Sequence, residues 1–97
     1  MLTLGHGPGG SAWIAGRLDA AQAALALQFF DAIHDSVTLD CARLDYVSSA
    51  GLGVLLQTQK RLHARGATLR LRGLSAPVHD VFCYAGFDQI FEIEPAG

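Results

Sequence analysis

The spacing of hydrophobic residues along the chain changes several times between a two-residue period and a period of three to four residues. Alternating runs are typical of half-buried strands, whereas the longer period is typical of amphipathic helices. The strands predicted in this way cover residues 1–4, 12–15, 36–40, 68–72 and 89–93. With helices between the later strands, the predicted order of elements is β-β-α-β-α-β-α-β.

The first predicted helix follows Asp19, whose carboxylate is suited to cap the free backbone amides at a helix start. The residues from there to about Ile33 are mostly Ala, Leu and Gln, which favour a helix. Leu25, Phe29 and Ile33 are spaced by four, with Ala26 and Phe30 beside them, and we expect this stripe to pack against the sheet.

The second predicted helix runs from Ala50 to a glycine stop signal at Gly66. Its apolar side is predicted to hold Leu52, Leu55, Leu56 and Leu62, and its opposite side Gln57, Lys60, Arg61 and Ala64. The third predicted helix is capped by Ser75 and stops at Gly86. We expect Cys83 to be a small core residue of this last helix.

Strands that are joined through helices are expected to run parallel, with right-handed crossovers. The sequence therefore predicts an α/β fold: a mixed β-sheet with helices packed on it, in one domain that spans residues 1–97. Strand 68–72 also fits an edge position, because Arg70 and Arg72 discourage further strand pairing. Residues 95–97 are predicted to form a tail.

Composition and charge exclude several classes of function. The chain has 51% hydrophobic and 16% charged residues, which is typical of a folded domain. Its net charge is −2 and no basic run exceeds Lys60-Arg61, which argues against nucleic-acid binding. No stretch reaches the ~20 apolar residues that span a bilayer, and residues 1–10 lack the pattern of a signal peptide.

The two cysteines, Cys41 and Cys83, are far apart and form no CxxC pair. Reduced thiols in a cytoplasmic protein are the simplest interpretation. An exposed position fits Cys41, because it follows the predicted end of strand 36–40.

Residues 48–53, Ser-Ser-Ala-Gly-Leu-Gly, are the strongest candidate for a functional site, and we call them the junction. They lie beyond a parallel strand, on the side of the sheet where sites gather in such folds. One serine suffices to cap a helix, and the two glycines leave the backbone bare, so that another surface can approach closely. An exposed hydroxyl at a helix N-terminus also suits a phosphoryl acceptor, because the helix dipole favours the added negative charge.

Motifs of other site classes are weak in this sequence. Residues 5–10 match GxGxxG, but a strand is predicted where a dinucleotide site needs a helix, so we interpret them as a hairpin turn. No GxSxG elbow surrounds Ser48 or Ser49, and no histidine is placed by sequence to activate either hydroxyl. Metal-binding spacings are absent among the four histidines, His6, His34, His63 and His79. We therefore expect a protein that is not an enzyme and that holds no cofactor or metal.

Several segments resemble the sequence pattern of one known family. Leu39-Asp40 and segment 44–56, Leu-Asp-Tyr-Val-Ser-Ser-Ala-Gly-Leu-Gly-Val-Leu-Leu, resemble the core motif of STAS domains. Segments 16–19, 65–71 and 74–78 also fit the family pattern, so the resemblance covers nearly the whole chain. Within the family, the chain is most similar to the single-domain bacterial anti-sigma factor antagonists.

This resemblance implies regulation by partner switching. In that mechanism the unphosphorylated antagonist binds a GHKL-type serine kinase, which is also an anti-sigma factor, and phosphorylation by this kinase with ATP and Mg separates the two. A PP2C-type phosphatase, which uses divalent metal, restores the antagonist. The family's acceptor lies two places before the motif glycine, which implies Ser49 before Gly51. The family's frequent Asp-Ser-Ser-Gly is Ser-Ser-Ala-Gly here, so phosphorylation of Ser48 stays open.

The predicted partner-binding surface combines the junction, the polar side of the second helix and two aspartates. Its residues are Asp19, Asp40, Ser48, Ala50, Gly51, Leu52, Gly53, Gln57, Lys60 and Arg61. Two alternatives remain open at the level of sequence: a STAS subunit that binds the ATPase of a lipid-transport ABC complex without phosphorylation, and a small-molecule or nucleotide sensor that uses the same strand ends. An enzyme is a third alternative, and it needs a base near Ser49 that the sequence does not provide.

Overall fold

Two antiparallel strands open the fold in a computed structural model that describes residues 1–94. The strands are β1 (Leu2–His6) and β2 (Ser11–Leu18), and their turn is closed where the Gly7 N–H donates to the Ser11 carbonyl at 3.0 Å. The predicted hairpin is confirmed, and the GxGxxG sequence lies in it rather than at a helix start. The predicted tail, residues 95–97, falls outside the described residues.

Helices and strands then alternate, as predicted. The elements are α1 (Ala23–Asp31), β3 (Val37–Val47), α2 (Ser49–His63), β4 (Leu69–Arg72), α3 (Ala76–Tyr84), a 3₁₀ turn (Phe87–Gln89) and β5 (Glu92–Ile93). Residues 1–94 form a five-stranded mixed sheet in the order β1-β2-β3-β4-β5, in which β2 to β5 are parallel. Because every right-handed crossover advances in the same direction, all three helices cover one face of the sheet. The opposite face is open, and we call it the open face.

The hydrophobic core lies between the sheet and the helices. Two fully buried aromatic rings, Phe30 of α1 and Phe82 of α3, pack with the inward side chains of the strands. Within residues 1–94, no helix is both long enough and apolar enough to cross a membrane.

Strand β3 is longer than the sequence indicates. The prediction that it ends near Asp40 is wrong, because pairing with β2 continues through Leu18 opposite Val47. Two register shifts interrupt this pairing, so the buried residues Cys41, Leu44 and Val47 are spaced by three instead of two. Bulges of this kind add a residue to one strand and break its alternation. The junction therefore follows the strand end directly.

Helix α1 begins at Ala23, later than its predicted start after Asp19, and it is rotated relative to the predicted stripe. Its buried residues are Ala26 and Phe30, whereas Leu25 is 50% exposed. The predicted burial of Leu25 is therefore wrong: the stripe that faces the sheet is centred one position further along the helix.

The end of the sheet also differs from two predictions. Strand β4 pairs with β3 on one side and β5 on the other, so it is not an edge strand. The edge position belongs to β5, which has only two residues because the 3₁₀ turn occupies Gln89, where the predicted strand begins. Short edge strands limit unwanted pairing with other chains.

The two cysteines occupy positions opposite to those predicted. Cys41 is fully buried in β3, whereas Cys83 is exposed on α3. Burial, with a smaller contribution from the carboxylate of Asp40, raises the pKa of the Cys41 thiol to about 12. Cys41 is therefore a protonated core residue at neutral pH, with little thiolate available to react.

Candidate functional site

The junction lies at the carboxyl end of β3, beside the end of β2. Ser48 follows Val47 directly, and its N–H donates to the Leu18 carbonyl at 2.9 Å. The Ser48 carbonyl in turn accepts the first α-helical hydrogen bond, from the Leu52 N–H at 2.8 Å. Strand pairing and helix initiation thus meet at a single residue, which fixes where α2 starts.

Of the two junction serines, one of which suffices for a cap, Ser48 is the N-cap of α2. Its backbone is extended, with φ −90° and ψ 174°, and its Oγ accepts a hydrogen bond from the Gly51 N–H at 3.2 Å. The residue is half-buried. This contact satisfies one of the backbone donors that a helix start leaves without a partner. The Ser48 hydroxyl is therefore engaged in holding the helix.

Ser49 is the first residue of α2, and its environment differs from that of Ser48. Ser49 and the following Ala50 are exposed. Within residues 1–94, the Ser49 hydroxyl forms no hydrogen bond. It lies at the positive end of the helix dipole, where a negative charge is favoured. Of the two junction hydroxyls, that of Ser49 is the accessible one.

The two glycines of the junction have different surroundings. A Cβ at Gly51 would lie 2.5 Å from the Leu18 carbonyl oxygen and 3.0 Å from Val47 Cγ2. A Cβ at Gly53 would meet nothing within 4 Å. Gly51 therefore allows α2 to approach the strand ends closely, and the prediction that both glycines bare a docking surface is wrong for Gly51. Leu52 is also buried, at 5% exposure, and faces the core.

The polar side of α2 is divided between exposed residues and a structural contact. Gln57 and Lys60 are exposed, as predicted. Arg61 is half-buried, and its guanidinium donates to the carbonyls of Phe30 at 2.7 Å and Ile33 at 2.8 Å. Phe30 lies in the last turn of α1 and Ile33 just beyond its end, where a cation is favoured. The expected docking role of Arg61 therefore competes with its role in fastening α1 to α2.

The two predicted aspartates lie at different places in the sheet. Asp19 follows β2 at the same edge as the junction; its Oδ1 accepts from the Gln22 N–H at 3.2 Å, and its Oδ2 lies 3.8 Å from Arg17 Nε. Asp40 lies in the middle of β3 and pairs with Arg72 at 3.5 Å. At about 3.3 Å per residue it is roughly 20 Å from the junction. The structure thus brings Asp19 to the site and leaves Asp40 away from it.

Sequence reasoning missed two buried polar residues of α2, Thr58 and Gln59, of which Gln59 joins the helix to other elements. Gln59 is 9% exposed; its Oε1 accepts from the Leu69 N–H at 3.0 Å, and its Nε2 donates to the Ile90 carbonyl at 3.4 Å. The amide therefore ties α2 to both the start of β4 and the turn before β5. The signal was its position between Leu55 and Leu62 on the apolar side of the helix.

One side-chain pair on α3 was also missed. Cys83 Sγ lies 3.7 Å from His79 Nδ1, a consequence of their spacing of four on a helix. Partial desolvation by neighbouring atoms raises the pKa of the Cys83 thiol, and the negative charges of Asp88 and Asp80 raise it further. No cluster of three or more metal-ligating side chains occurs in the part of the chain that the structure describes.

This α/β arrangement is shared with solved structures of regulatory proteins. An anti-sigma factor antagonist from Mycobacterium paratuberculosis superposes with a TM-score of 0.84 at 17% identity, over 99% of this chain and 87% of that one. The Bacillus cell fate determinant SpoIIAA, in its phosphorylated form, superposes with a TM-score of 0.70 at 18% identity, over 98% of this chain and 92% of that one. At these identities the likeness concerns the fold.

Comparison of the sequence with known protein families identifies the family of this chain. Residues 13–93 match the family described as "Mlab, STAS domain". The chain belongs to the STAS domain family, as the motif around the junction predicted. It is also 46% identical over 57 residues to a protein of Bordetella bronchiseptica named "Putative anti-sigma factor antagonist BtrV". That match covers 59% of this chain and 49% of BtrV, so it spans about half the length of the relative.

Proposed function

We propose that the chain is an anti-sigma factor antagonist, a single-domain binding protein rather than an enzyme, whose affinity for its partner is controlled by phosphorylation of Ser49. The observation that carries this proposal is the contrast between the two adjacent hydroxyls. Ser49 is exposed and forms no hydrogen bond within residues 1–94, whereas Ser48 is half-buried and caps α2. A kinase reaches the Ser49 hydroxyl without disturbing the helix.

Phosphorylation of Ser48 is disfavoured by the same contacts. Its Oγ accepts from the Gly51 N–H, and loss of an N-cap costs about 1 kcal/mol. A phosphate there also needs space next to Gly51, which is packed against Leu18 and Val47. Ser49 has neither constraint. It therefore stays the proposed acceptor, although position 48 holds a serine instead of the family's frequent aspartate.

The proposed docking surface is a strip along α2 that starts at the acceptor. Ser49, Gly53, Gln57 and Lys60 are all exposed and are spaced by four, four and three, so they lie on one side of the helix. We call these residues the α2 strip. Gly53 leaves a flat place beside the acceptor, where a partner can contact the helix backbone. Asp19 and Ala50 flank the strip at its N-terminal end.

A phosphate on Ser49 would change this surface without changing the fold. It adds a charge between about −1.5 and −2, which the N-terminus of α2 stabilises in the free protein. In a complex, the same charge without a cation opposite it costs several kcal/mol, and each 1.4 kcal/mol is tenfold in affinity. A single modification is therefore sufficient to separate the two proteins.

The proposed partners follow from this mechanism. The unphosphorylated chain binds a GHKL-type serine kinase that also acts as the anti-sigma factor, and this kinase transfers the γ-phosphoryl group of ATP, with Mg, to Ser49 Oγ. A PP2C-type phosphatase with divalent metal removes the phosphate. We place these reactions in the cytoplasm.

The proposal is tested by titration calorimetry of the cognate kinase with Ser49→Ala, Ser49→Asp and the control Ser75→Ala, which removes a serine from the cap of α3. We expect Ser49→Ala and Ser75→Ala to bind like the unaltered chain, and Ser49→Asp to bind about 100-fold more weakly. Equal affinities of the two Ser49 variants would contradict phosphorylation control. Binding to a transporter ATPase with equal affinity by both Ser49 variants would instead favour the lipid-transport alternative.

A further inference from the structure

The open face of the sheet carries a depression that the proposed function does not use. It has a volume of about 280 Å³ and is lined by Trp13, Ile14, Asp40, Ala42 and Arg43. It lies where β2 and β3 pair, with Trp13 opposite Asp40 in register. Asp40 is roughly 20 Å from the junction along β3, so the depression is separate from the proposed phosphorylation site.

The indole of Trp13 forms one wall of the depression because it leans over the neighbouring strand. A Cβ at Gly5 of β1, which pairs with Trp13, would lie 2.5 Å from the indole atoms Cε2 and Cζ2. The glycine thus makes room for the ring to lie across β1, which leaves the surface above β2 and β3 uncovered. The side chain is still 39% exposed, which leaves aromatic surface available for contact.

The bulge in β3 forms the opposite wall. The register shifts by one residue between Trp13 and Ala15, where their partners are Asp40 and Arg43. The Ala42 N–H donates to Asp40 Oδ1 at 3.0 Å, and Arg72 lies 3.5 Å from Asp40 Oδ2. Bulges of this kind redirect side chains and recur next to functional sites.

The charges around the depression leave one cation available. Asp40 is compensated by Arg72, so it presents little negative charge to a ligand. Arg43 is exposed, and within residues 1–94 no carboxylate lies within ion-pair distance of its guanidinium. A guanidinium binds carboxylates through two parallel hydrogen bonds, and an indole face stacks with planar rings.

We propose that this depression is a binding site for a small planar aromatic carboxylate. The ring packs against the exposed side of Trp13, and the carboxylate pairs with Arg43. The volume lies below the 300 to 1,000 Å³ typical of sites for drug-sized ligands, so it accommodates about one ring. For a ligand of this size we expect a dissociation constant of about 0.1 to 1 mM.

Trp13 is the one tryptophan of the chain, so its indole N–H gives a single, assigned reporter in ¹H-¹⁵N correlation spectra. We would titrate the ¹⁵N-labelled chain with benzoate, and in parallel with cyclohexanecarboxylate, which has the same charge and no aromatic ring. The predicted result is a saturable shift of the indole resonance with benzoate, and binding about tenfold weaker with cyclohexanecarboxylate.

Two variants distinguish binding at this site from non-specific electrostatic attraction to the protein surface. Arg43→Gln keeps the reporter and should weaken benzoate binding about tenfold, whereas Arg65→Gln removes an exposed cation just after α2 and should leave benzoate binding unchanged. Shifts that stay linear to about 10 mM, equal shifts with both acids, or equal affinities of the two variants would overturn the proposal. Because no kinase is involved, the outcome is independent of the proposed phosphorylation of Ser49.

Discussion

The same local structure, a serine N-cap, occurs at the start of α2 and at the start of α3. In both cases a serine N-cap follows a parallel strand: Ser48 Oγ accepts from the Gly51 N–H at 3.2 Å, and Ser75 Oγ accepts from the Val78 N–H at 3.4 Å. Both helices start beyond the carboxyl ends of their strands. A capped helix at this edge is therefore not by itself evidence of a site.

The difference between the two helix starts lies in the residues that follow the cap. After Ser75 come Ala76 and Pro77, which supply no side-chain hydroxyl, whereas Ser48 is followed by Ser49 with an exposed hydroxyl. The first turns of α2 also contain two glycines, one buried against β2 and one open to solvent. The comparison indicates that the cap belongs to the fold, and that Ser49 and Gly53 are the residues without a structural explanation.

The largest stability effect is expected at Gly51. In Gly51→Ala the new methyl group lies 2.5 Å from the Leu18 carbonyl oxygen, so the strand end or the helix must move. We expect a loss of about 2 kcal/mol in the free energy of unfolding, measured by urea denaturation. A neutral result would show that α2 does not need its close approach to β2.

The two caps should contribute similarly. Ser48→Ala and Ser75→Ala each remove an acceptor for one backbone N–H, and each is expected to cost about 1 kcal/mol in the same measurement. A much larger loss for Ser48→Ala would mean that its hydroxyl does more for the fold than a cap does, and would separate the two helix starts structurally.

The smallest effect is expected at Gly53. Because a methyl group there meets no atom within 4 Å, Gly53→Ala should stabilise the chain by about 0.5 to 1 kcal/mol through helix propensity alone. If the α2 strip is the docking surface, the same variant should weaken binding of the cognate kinase in titration calorimetry. Unchanged affinity would remove Gly53 from the interface.

The order of the elements was predictable from the sequence because hydrophobic periods distinguish strands from helices over most of the chain. The prediction failed where tertiary contacts override the period. Bulges in β3 space Cys41, Leu44 and Val47 by three, which concealed the second half of the strand and the burial of Cys41.

For the site, the sequence singled out the junction and its cap, but it could not distinguish the two glycines. Their difference depends on the position of the Leu18 carbonyl, which belongs to a residue 33 positions earlier than Gly51. Similarly, Arg61 has the sequence pattern of an exposed cation, and only the packing of α1 on α2 shows that it binds the carbonyls of Phe30 and Ile33.

The central claim is that Ser49, and neither of the capping serines, accepts the phosphoryl group. It is tested most directly by incubating the chain with its cognate kinase, ATP and Mg, followed by mapping of the phosphate by fragmentation mass spectrometry. We expect one phosphate, on Ser49, and none after the substitution Ser49→Ala. A phosphate on Ser48 or Ser75, or continued phosphorylation of Ser49→Ala, would contradict it.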